Sequence, residues 1–489
     1  MTIGRLLGVV AGVSGSLVVA STGLLGAAHL DDRFRVDHVG GARLALAWYL
    51  NHGVLYPPLV DGQFYGGTRF MPLPIVLGAG VARLTGEYLV SGKVVAYVVG
   101  LALLAVLFSN VRRRSGSVPV ALLLVAMVPA TATGLSALLG LRADALPLLL
   151  QLVALETAVR WRRPARDVAA AVLGVLAVAA KLSAVWAPLA LIAWFLLRRE
   201  IRRLIVFLTV SVALIAALVG VLVVVTDGRF SDNVFGLATA GITGPADVLR
   251  APYILVRLLT EHATALWALF PAVLVAGWLA LRERDPDPYL LAFGSALVVV
   301  IVVLTDRGTG PNQLVDLVTL GAVVLGGLVG RRWRPRQLNE PVKAVLGVAL
   351  TWVVLSGFAV AHVPELQRLG GWATTRPLDG LPAVSGPILS EDPYVPVAHG
   401  QRPIVLDPFM LRRIYQRDPA LVRPLVQRIE RGDFQYVVLV EPLEPLDREW
   451  WNDMHLGPEL VRAIASAYQP LGRHQGYHVY VPSGVQPPR

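Results

Sequence analysis

Residues 166–203 read RDVAAAVLGVLAVAAKLSAVWAPLALIAWFLLRREIRR: two apolar runs parted by Lys181 and closed at both ends by arginines. As a single span this stretch carries the chain across a membrane; as two spans it brings the chain back. A bilayer core takes about 20 apolar residues per helix, and helix tilt or local thinning accommodates shorter spans, so hydropathy alone admits both readings. Charge separates them. Working outward, apolar stretches fall at 6–28, 93–111, 118–139, 145–159, 168–180, 184–197, 204–226, 263–281, 288–304, 314–330 and 342–362, which makes eleven. With the N-terminus inside, alternate connections collect Arg112 to Arg114, Arg160, Arg162, Arg163, Arg166, Arg198, Arg199, Arg202, Arg203, Arg282, Arg284, Arg331, Arg332, Arg334, Arg336 and Lys343. The opposite short connections hold only Arg142, Lys181, Arg229, Arg250, Arg257 and Arg307. Eighteen basic residues inside against six outside satisfies the positive-inside rule. Merging 168–197 into one span would invert everything downstream and destroy the pattern.

Composition agrees. Of 489 residues, 55% are apolar and 16% charged, too apolar a balance for a soluble domain. The net charge of +11 is spread through short runs between apolar stretches, which points to membrane orientation and not to a nucleic-acid face. With no cysteine there is no disulfide, thiol nucleophile, Cys-ligated zinc or thiolate cluster. The first apolar run, although preceded by Arg5 and followed by Ala27 and Ala28, is too long for a signal-peptide core and reads as a retained span.

The predicted architecture is a mostly α, polytopic membrane domain over 1–362, a linker over 363–379 and a small extracytoplasmic α/β domain over 380–489. Within the first, residues 29–92 form a long external loop. Ala42 to Leu50 there fits an amphipathic helix, and Leu73 to Leu84 a short apolar one lying against the bilayer. In the tail, Ile388–Ser390, Pro403–Leu406, Tyr436–Val440 and Tyr477–Val481 read as short strands, while Arg412–Arg431 and Pro458–Tyr468 read as helices.

Charged groups near hydrocarbon are costly unless paired or facing water, so those in the external connections are functional candidates. Asp37 closes the approach to the amphipathic helix and is placed to act as a general base; solvation of a loop by Asp31, Asp32 and Asp37 is the plainer alternative. Arg142 and Asp144 share a tight connection, as an ion pair, a helix cap or a site. Lys181 either snorkels or binds phosphate. Arg69 lies in the Gly- and Pro-rich run Tyr65–Pro74, and Arg307 in a run that leads to Asn312, Gln313 and Asp316. Trp48 and Tyr49 are an interfacial belt or a sugar platform. Carboxylates and separated cations in one external cleft suit a reaction in which an alcohol attacks and a lipid phosphate leaves. No HExxH spacing, Walker A motif, dinucleotide fingerprint or nucleophile elbow is present.

The order of these elements resembles the membrane-embedded C-type (GT-C) glycosyltransferases, in particular the protein O-mannosyltransferase and lipid A aminoarabinose transferase branch. The matching residues are Asp37, Gly53, Tyr65, Gly67, Arg69 and Pro72 to Pro74 in the first loop. Arg142-Ala-Asp144, Ala180-Lys181-Leu-Ser183 with Pro188, and Gly308 to Asp316 follow. In the tail, Ser390-Glu-Asp-Pro393 and Leu406-Asp-Pro-Phe409 are similar to segments of uncharacterised members. The family often has Asp-Glu and a nearby Arg where this chain has Asp37-His38 and Gly40.

The resemblance implies the GT-C fold and a polyprenyl-phosphate-linked sugar as donor. It also implies a lipid, glycan or protein hydroxyl as acceptor, and inversion at the anomeric carbon. Asp37 and Asp144 become the expected catalytic carboxylates. Arg69, Arg142, Lys181, Arg307, Asn312 and Tyr65 become the expected substrate-binding residues, with Arg69, Lys181 and Arg307 as the phosphate clamp. No cofactor is expected, and divalent-metal dependence differs between branches. A polytopic transporter or lipid flippase is the competing reading, although no related halves of the kind transporters show are visible; an envelope-assembly scaffold is a third.

Overall fold

The computed structural model describes residues 3–142, 144–237, 241–242, 244–262, 265–332, 340–369 and 376–484. The expected inner cations Arg334 and Arg336 lie outside the described residues, as does the middle of the linker, 370–375. Among the described residues each of the eleven apolar stretches is mainly helical. The helices run α1 Ile3–Ala28, α2 His38–Asn51, α3 Pro72–Thr85, α4 Tyr88–Ser115, α5 Val118–Ala126, α6 Ala132–Leu139, α7 Ala145–Arg160 and α8 Arg166–Ala180. They continue with α9 Trp186–Leu197, α10 Ile201–Val225, α11 Pro245–His262, α12 Ala265–Glu283, α13 Pro288–Val303, α14 Leu314–Arg332, α15 Glu340–Ala361 and the short α16 Val363–Gln367.

The opening stretch is indeed two helices. Lys181 leaves α8 in extended geometry, and α9 restarts with Pro188 in its first turn, where the ring costs no hydrogen bond. The 118–139 stretch is broken into α5 and α6 at Met127–Thr131, and the Thr131 hydroxyl accepts from the Gly134 N–H to cap the second piece. Helix α11 is an addition to the expected set. Among the described residues six helices are long and apolar enough to cross a membrane, while α3, α9 and α13 are apolar but shorter. The chain is a multi-pass membrane protein.

Burial sorts the helices. Along α10 only Leu204, Phe207 and Leu222 are buried, and Val212, Val221 and Val224 project outward, the pattern of a helix whose outer face meets lipid. By contrast 78% of the α14 span window is buried, so α14 stands at the centre of the bundle. Small residues allow backbones to approach closely where no hydrophobic driving force exists between helices. A Cβ on Gly15 of α1 would lie 2.4 Å from the Leu122 carbonyl carbon of α5, and one on Gly330 of α14 1.8 Å from the Arg114 carbonyl oxygen. At the arginine-rich end the cations are paired: Arg203 with Asp167 (2.7 Å), Arg113 with Glu156 (3.0 Å) and Arg114 with Asp287 (2.6 Å).

Two short strands, β1 Val60–Asp61 and β2 Phe64–Tyr65, form a hairpin in the first loop. The tail carries β3 Ile388–Ser390, α17 Tyr394–Ala398, α18 Pro408–Arg417, α19 Pro419–Glu430, β4 Tyr436–Leu439, α20 Pro458–Ala467, β5 Tyr468–His474 and β6 Tyr477–Pro482. Its sheet has the order β3-β4-β6-β5, parallel between β3 and β4 and antiparallel elsewhere. Two expectations are corrected here. β5, polar and interrupted by Pro470 and Gly472, is a strand that its sequence conceals. Pro403–Leu406 joins no sheet: Ile404 accepts from the Tyr65 N–H (2.7 Å) and the Leu406 N–H donates to the Tyr65 carbonyl (2.9 Å). The extended run is used to receive the first loop, and the Tyr65 ring, 1% exposed, enters the tail's core.

Gly15→Val is expected to destabilise the purified protein by about 1–3 kcal/mol through overpacking against α5. Gly8→Val, with nothing within 4 Å of its added Cβ, is expected to leave the thermal midpoint unchanged. Thermal unfolding in detergent measures the difference.

Candidate functional site

The ends of the helices opposite the arginine-rich connections surround a cavity of about 550 Å³. Six segments from the first 362 residues line it: the start of α2, residues 69–71, Arg142 with Asp144, residues 180–183, Ile242 and the 302–313 connection. The tail closes it with Asp407, Phe409, Met410, Trp450, Met454 and His455. Two close approaches set this roof. Gly67, at φ +88°, lies against Met410, where a Cβ would come within 3.2 Å. A Cβ on Gly41 would lie 1.8 Å from Asp392 Oδ1, so only glycine lets the tail's 390–393 turn settle on α2. Asp392 is anchored there by Arg33 (3.2 Å) and the Tyr477 hydroxyl (2.5 Å), and burial pushes its carboxyl up to about 6.

Asp37 is the N-cap of α2: its Oδ1 accepts from the Gly40 N–H (2.8 Å) and its Oδ2 from Arg142 Nε (2.5 Å). Burial raises its pKa, but Arg142, His38 and the Gly40 N–H together outweigh burial and hold it below the usual carboxylate range. Asp144 accepts from Lys181 Nζ (2.7 Å) and Asn312 Nδ2 (3.0 Å), with its other oxygen, Oδ2, buried and unpartnered. Arg69 forks onto Asp306 with contacts of 2.5 and 3.3 Å.

Of the residues expected from sequence, Arg69, Arg142, Asp144, Lys181 and Asn312 line the cavity. Asp37 stands behind Arg142. Arg307 lies beside the lining residues Asp306 and Gly308 but is held by Asp247 at 3.0 Å. Tyr65 is elsewhere, its hydroxyl donating to the Leu421 carbonyl (3.2 Å), so it docks the loop and does not meet the cavity. Nor do Trp48 and Tyr49 line it; Trp48 stacks on His52, and Arg402 donates to the Tyr49 hydroxyl.

The structure adds residues that the sequence reading passed over. Arg43, one turn into α2, faces the cavity with Nε and Nη1 buried and without a hydrogen-bond partner. Its guanidinium lies 4.9 Å from the centroid of the Phe70 ring. Burial draws its pKa down to about 10, which leaves it charged at neutral pH. From Arg43 a narrow apolar groove runs between α2, α3 and α4, past Ala47, Pro74, Gly78, Gly92 and Ala96.

On the opposite wall, His455 Nδ1 and Trp450 Nε1 both donate to Glu391 Oε1, at 2.5 and 2.7 Å, and the Val440 N–H donates to Oε2 (2.7 Å). The His38 and His455 rings meet edge-on at 4.4 Å. The signals for this wall were the tail segments around Glu391 and Asp407. Among the described residues no group of three or more His, Asp or Glu side chains is placed to hold a metal ion.

Comparison with solved structures identifies the architecture. ArnT from Cupriavidus metallidurans, solved bound to undecaprenyl phosphate, aligns over 97% of this chain and 99% of its own at a TM-score of 0.61 and 15% identity. An oligosaccharyltransferase from Archaeoglobus fulgidus, solved with Zn and sulfate, aligns over 92% of this chain and 71% of its own (TM-score 0.54, 13% identity). The arabinofuranosyltransferase AftD from Mycobacteria covers 98% of this chain and 40% of its own (TM-score 0.51, 15% identity). The fold is that of the GT-C membrane glycosyltransferases, as the resemblance implied. No family model and no curated protein sequence matches the chain.

Burial lowers the His38 pKa from 6.5 to about 4, with His455 adding to the effect and Asp37 and Glu391 opposing it. Between those two values the unfolded chain binds a proton that the folded protein refuses, so this contribution to stability is full above about 6.5 and declines as pH falls toward 4. His38→Gln is expected to shallow the fall in thermal midpoint over that window; an identical slope in wild type and variant would show that His38 does not titrate in this way.

Proposed function

We propose that the protein is an integral-membrane glycosyltransferase that moves a sugar from a polyprenyl-phosphate donor to a hydroxyl acceptor on the outer face of the membrane, with inversion. The observation that carries this reading is the pairing of Arg43 with the groove beside it. A buried guanidinium lacking partners at two nitrogens calls for an anion, and the apolar recess of about 50 Å³ that starts at the same residue offers the first carbons of a prenyl chain an apolar contact. Phosphate and tail of one lipid would satisfy both. Undecaprenyl phosphate bound to ArnT supports the same donor class here.

The proposed topology has eleven spans, the N-terminus in the cytoplasm and the tail outside. It rests on the basic connections lying at the helix ends opposite the cavity. Residues 1–362 form the catalytic membrane domain, with 29–92 as its outer loop; 363–379 link it to an extracytoplasmic domain over 380–489.

In the reaction, the cations lining the cavity receive the charge that develops as the bond between the anomeric carbon and the phosphate oxygen breaks. Arg43 binds the donor phosphate in the ground state. Arg142 and Lys181 stand near it, each already oriented by a carboxylate, and Arg69 lies across the cavity on Asp306. Asp37 and Asp144 act by fixing these cations and by supplying negative charge near the carbon as it becomes electron-poor; Asn312 orients Asp144. Arg307 steadies the 302–313 wall through Asp247.

Arg43→Gln is expected to weaken undecaprenyl phosphate binding by the purified protein about 10- to 100-fold, the worth of charged hydrogen bonds lost from a buried site. Isothermal titration in nanodiscs measures it. Wild-type affinity in the variant would contradict the assignment of the phosphate to Arg43.

A further inference from the structure

We propose that His455, oriented by Glu391, takes the proton from the acceptor hydroxyl. The inference rests on the transfer reaction proposed above and assigns to the tail a chemical role in it.

A proton acceptor needs a lone pair that its own fold does not consume, and a way to hold the charge it gains. The carboxylates around the cavity are engaged. Asp37 is bound by Arg142 and the Gly40 N–H; Asp144 gives Oδ1 to Lys181 and Asn312, and although its Oδ2 has no partner, burial is outweighed by Lys181, Arg43 and Asn312, which hold the carboxyl below its ordinary range. Asp306 is bound by Arg69 and the Gly308 N–H, and Asp407 by the Phe409 and Met410 N–H groups it caps. Protonating any of them surrenders charge from an ion pair or cap, and the position of Asp37 below the carboxylate range makes it a weak base.

His455 differs. The ionised Glu391 can only accept, so the imidazole Nδ1 carries the hydrogen and Nε2 keeps its lone pair. Three donors converge on Glu391, from His455, Trp450 and the Val440 N–H, which fixes the carboxylate and therefore the imidazole plane. Burial pushes the Glu391 carboxyl up, but the hydrogen bonds from His455 and the Val440 N–H help to hold it below its ordinary value, so it stays ionised through neutral pH. The His38 and Trp450 rings pack against His455 at 4.4 and 4.1 Å between centroids and leave it part of the cavity wall.

The step balances without an added reagent. The acceptor oxygen forms its bond to the anomeric carbon as its hydrogen passes to Nε2. The bond from that carbon to the phosphate oxygen breaks, and its electron pair leaves on the phosphate. The products are the glycoside, polyprenyl phosphate and an imidazolium held by Glu391. The charged or titratable groups facing the pair are His38 and Asp37 from the start of α2, Arg142 from the turn before α7, and Asp407 from the tail.

The experiment uses the full chain in nanodiscs and radiolabelled lipid-linked sugars extracted from cells lacking the protein, with cell-envelope extract as acceptor. Turnover is read as released polyprenyl phosphate, and binding of undecaprenyl phosphate is measured in parallel. His455→Asn is expected to bind undecaprenyl phosphate within about twofold of wild type while kcat falls about 100-fold or more. Glu391→Gln, a positioning variant, is expected to lose about tenfold in kcat while binding undecaprenyl phosphate as the wild type does. Near-wild-type turnover in His455→Asn, wild-type kcat in Glu391→Gln, or loss of undecaprenyl phosphate binding in either variant would each overturn the assignment. Wild-type protein that binds undecaprenyl phosphate yet releases none from any donor would instead remove the transfer reading, and this inference with it.

Discussion

The cavity exists because the loop that joins α1 to α4 and the tail are pinned to each other. Tyr65 exchanges backbone hydrogen bonds with the 404–406 run and buries its ring in the tail's core, while Asp392 reaches across Gly41 to Arg33. Neither segment is regular enough to hold its own position, since β1 and β2 have two residues each and 403–406 has no sheet partner. Together they place His38, Arg43 and Arg69 from the loop opposite Asp407, Trp450 and His455 from the tail.

That setting makes the charge balance informative. A buried ion is tolerated when its partner repays the lost hydration. Arg69, Arg142 and Lys181 each have a carboxylate at 2.5 to 2.7 Å. Arg43 has none within hydrogen-bonding reach at Nε or Nη1, and distant Asp144 and Asp37 only soften its burial. An anion arriving at Arg43 gains most. The opposite wall carries the complementary feature, an imidazole with a carboxylate behind it. The two features fall to different parts of the chain, Arg43 to α2 and the imidazole to the tail.

Much of the bundle was legible because its signal is local. Arginine runs at alternate connections and the lone Lys181 separated α8 from α9, and the helices follow that division. Asp144 and Lys181, 37 positions apart, were each visible as charges at apolar helix ends, and they are joined at 2.7 Å. What the sequence hid is long-range. Arg43 looks like one more polar residue on an amphipathic helix, and its isolation is apparent only when the surrounding carboxylates are seen to be taken. Glu391 and His455 lie 64 positions apart and become neighbours only through the parallel pairing of β3 with β4 and the turn at 450–454. Tyr65 misled for the opposite reason: it belongs to the same loop motif as Arg69, but Gly67, at φ +88°, turns the chain between them, so the Tyr65 ring enters the tail's core while Arg69 lines the cavity.

Cryo-electron microscopy of the full chain in nanodiscs with undecaprenyl phosphate tests the central claim most directly. The account predicts phosphate density in contact with the Arg43 guanidinium and prenyl density along the groove between α2, α3 and α4. Phosphate density apart from Arg43, or at the arginine-rich end of the bundle, would contradict it.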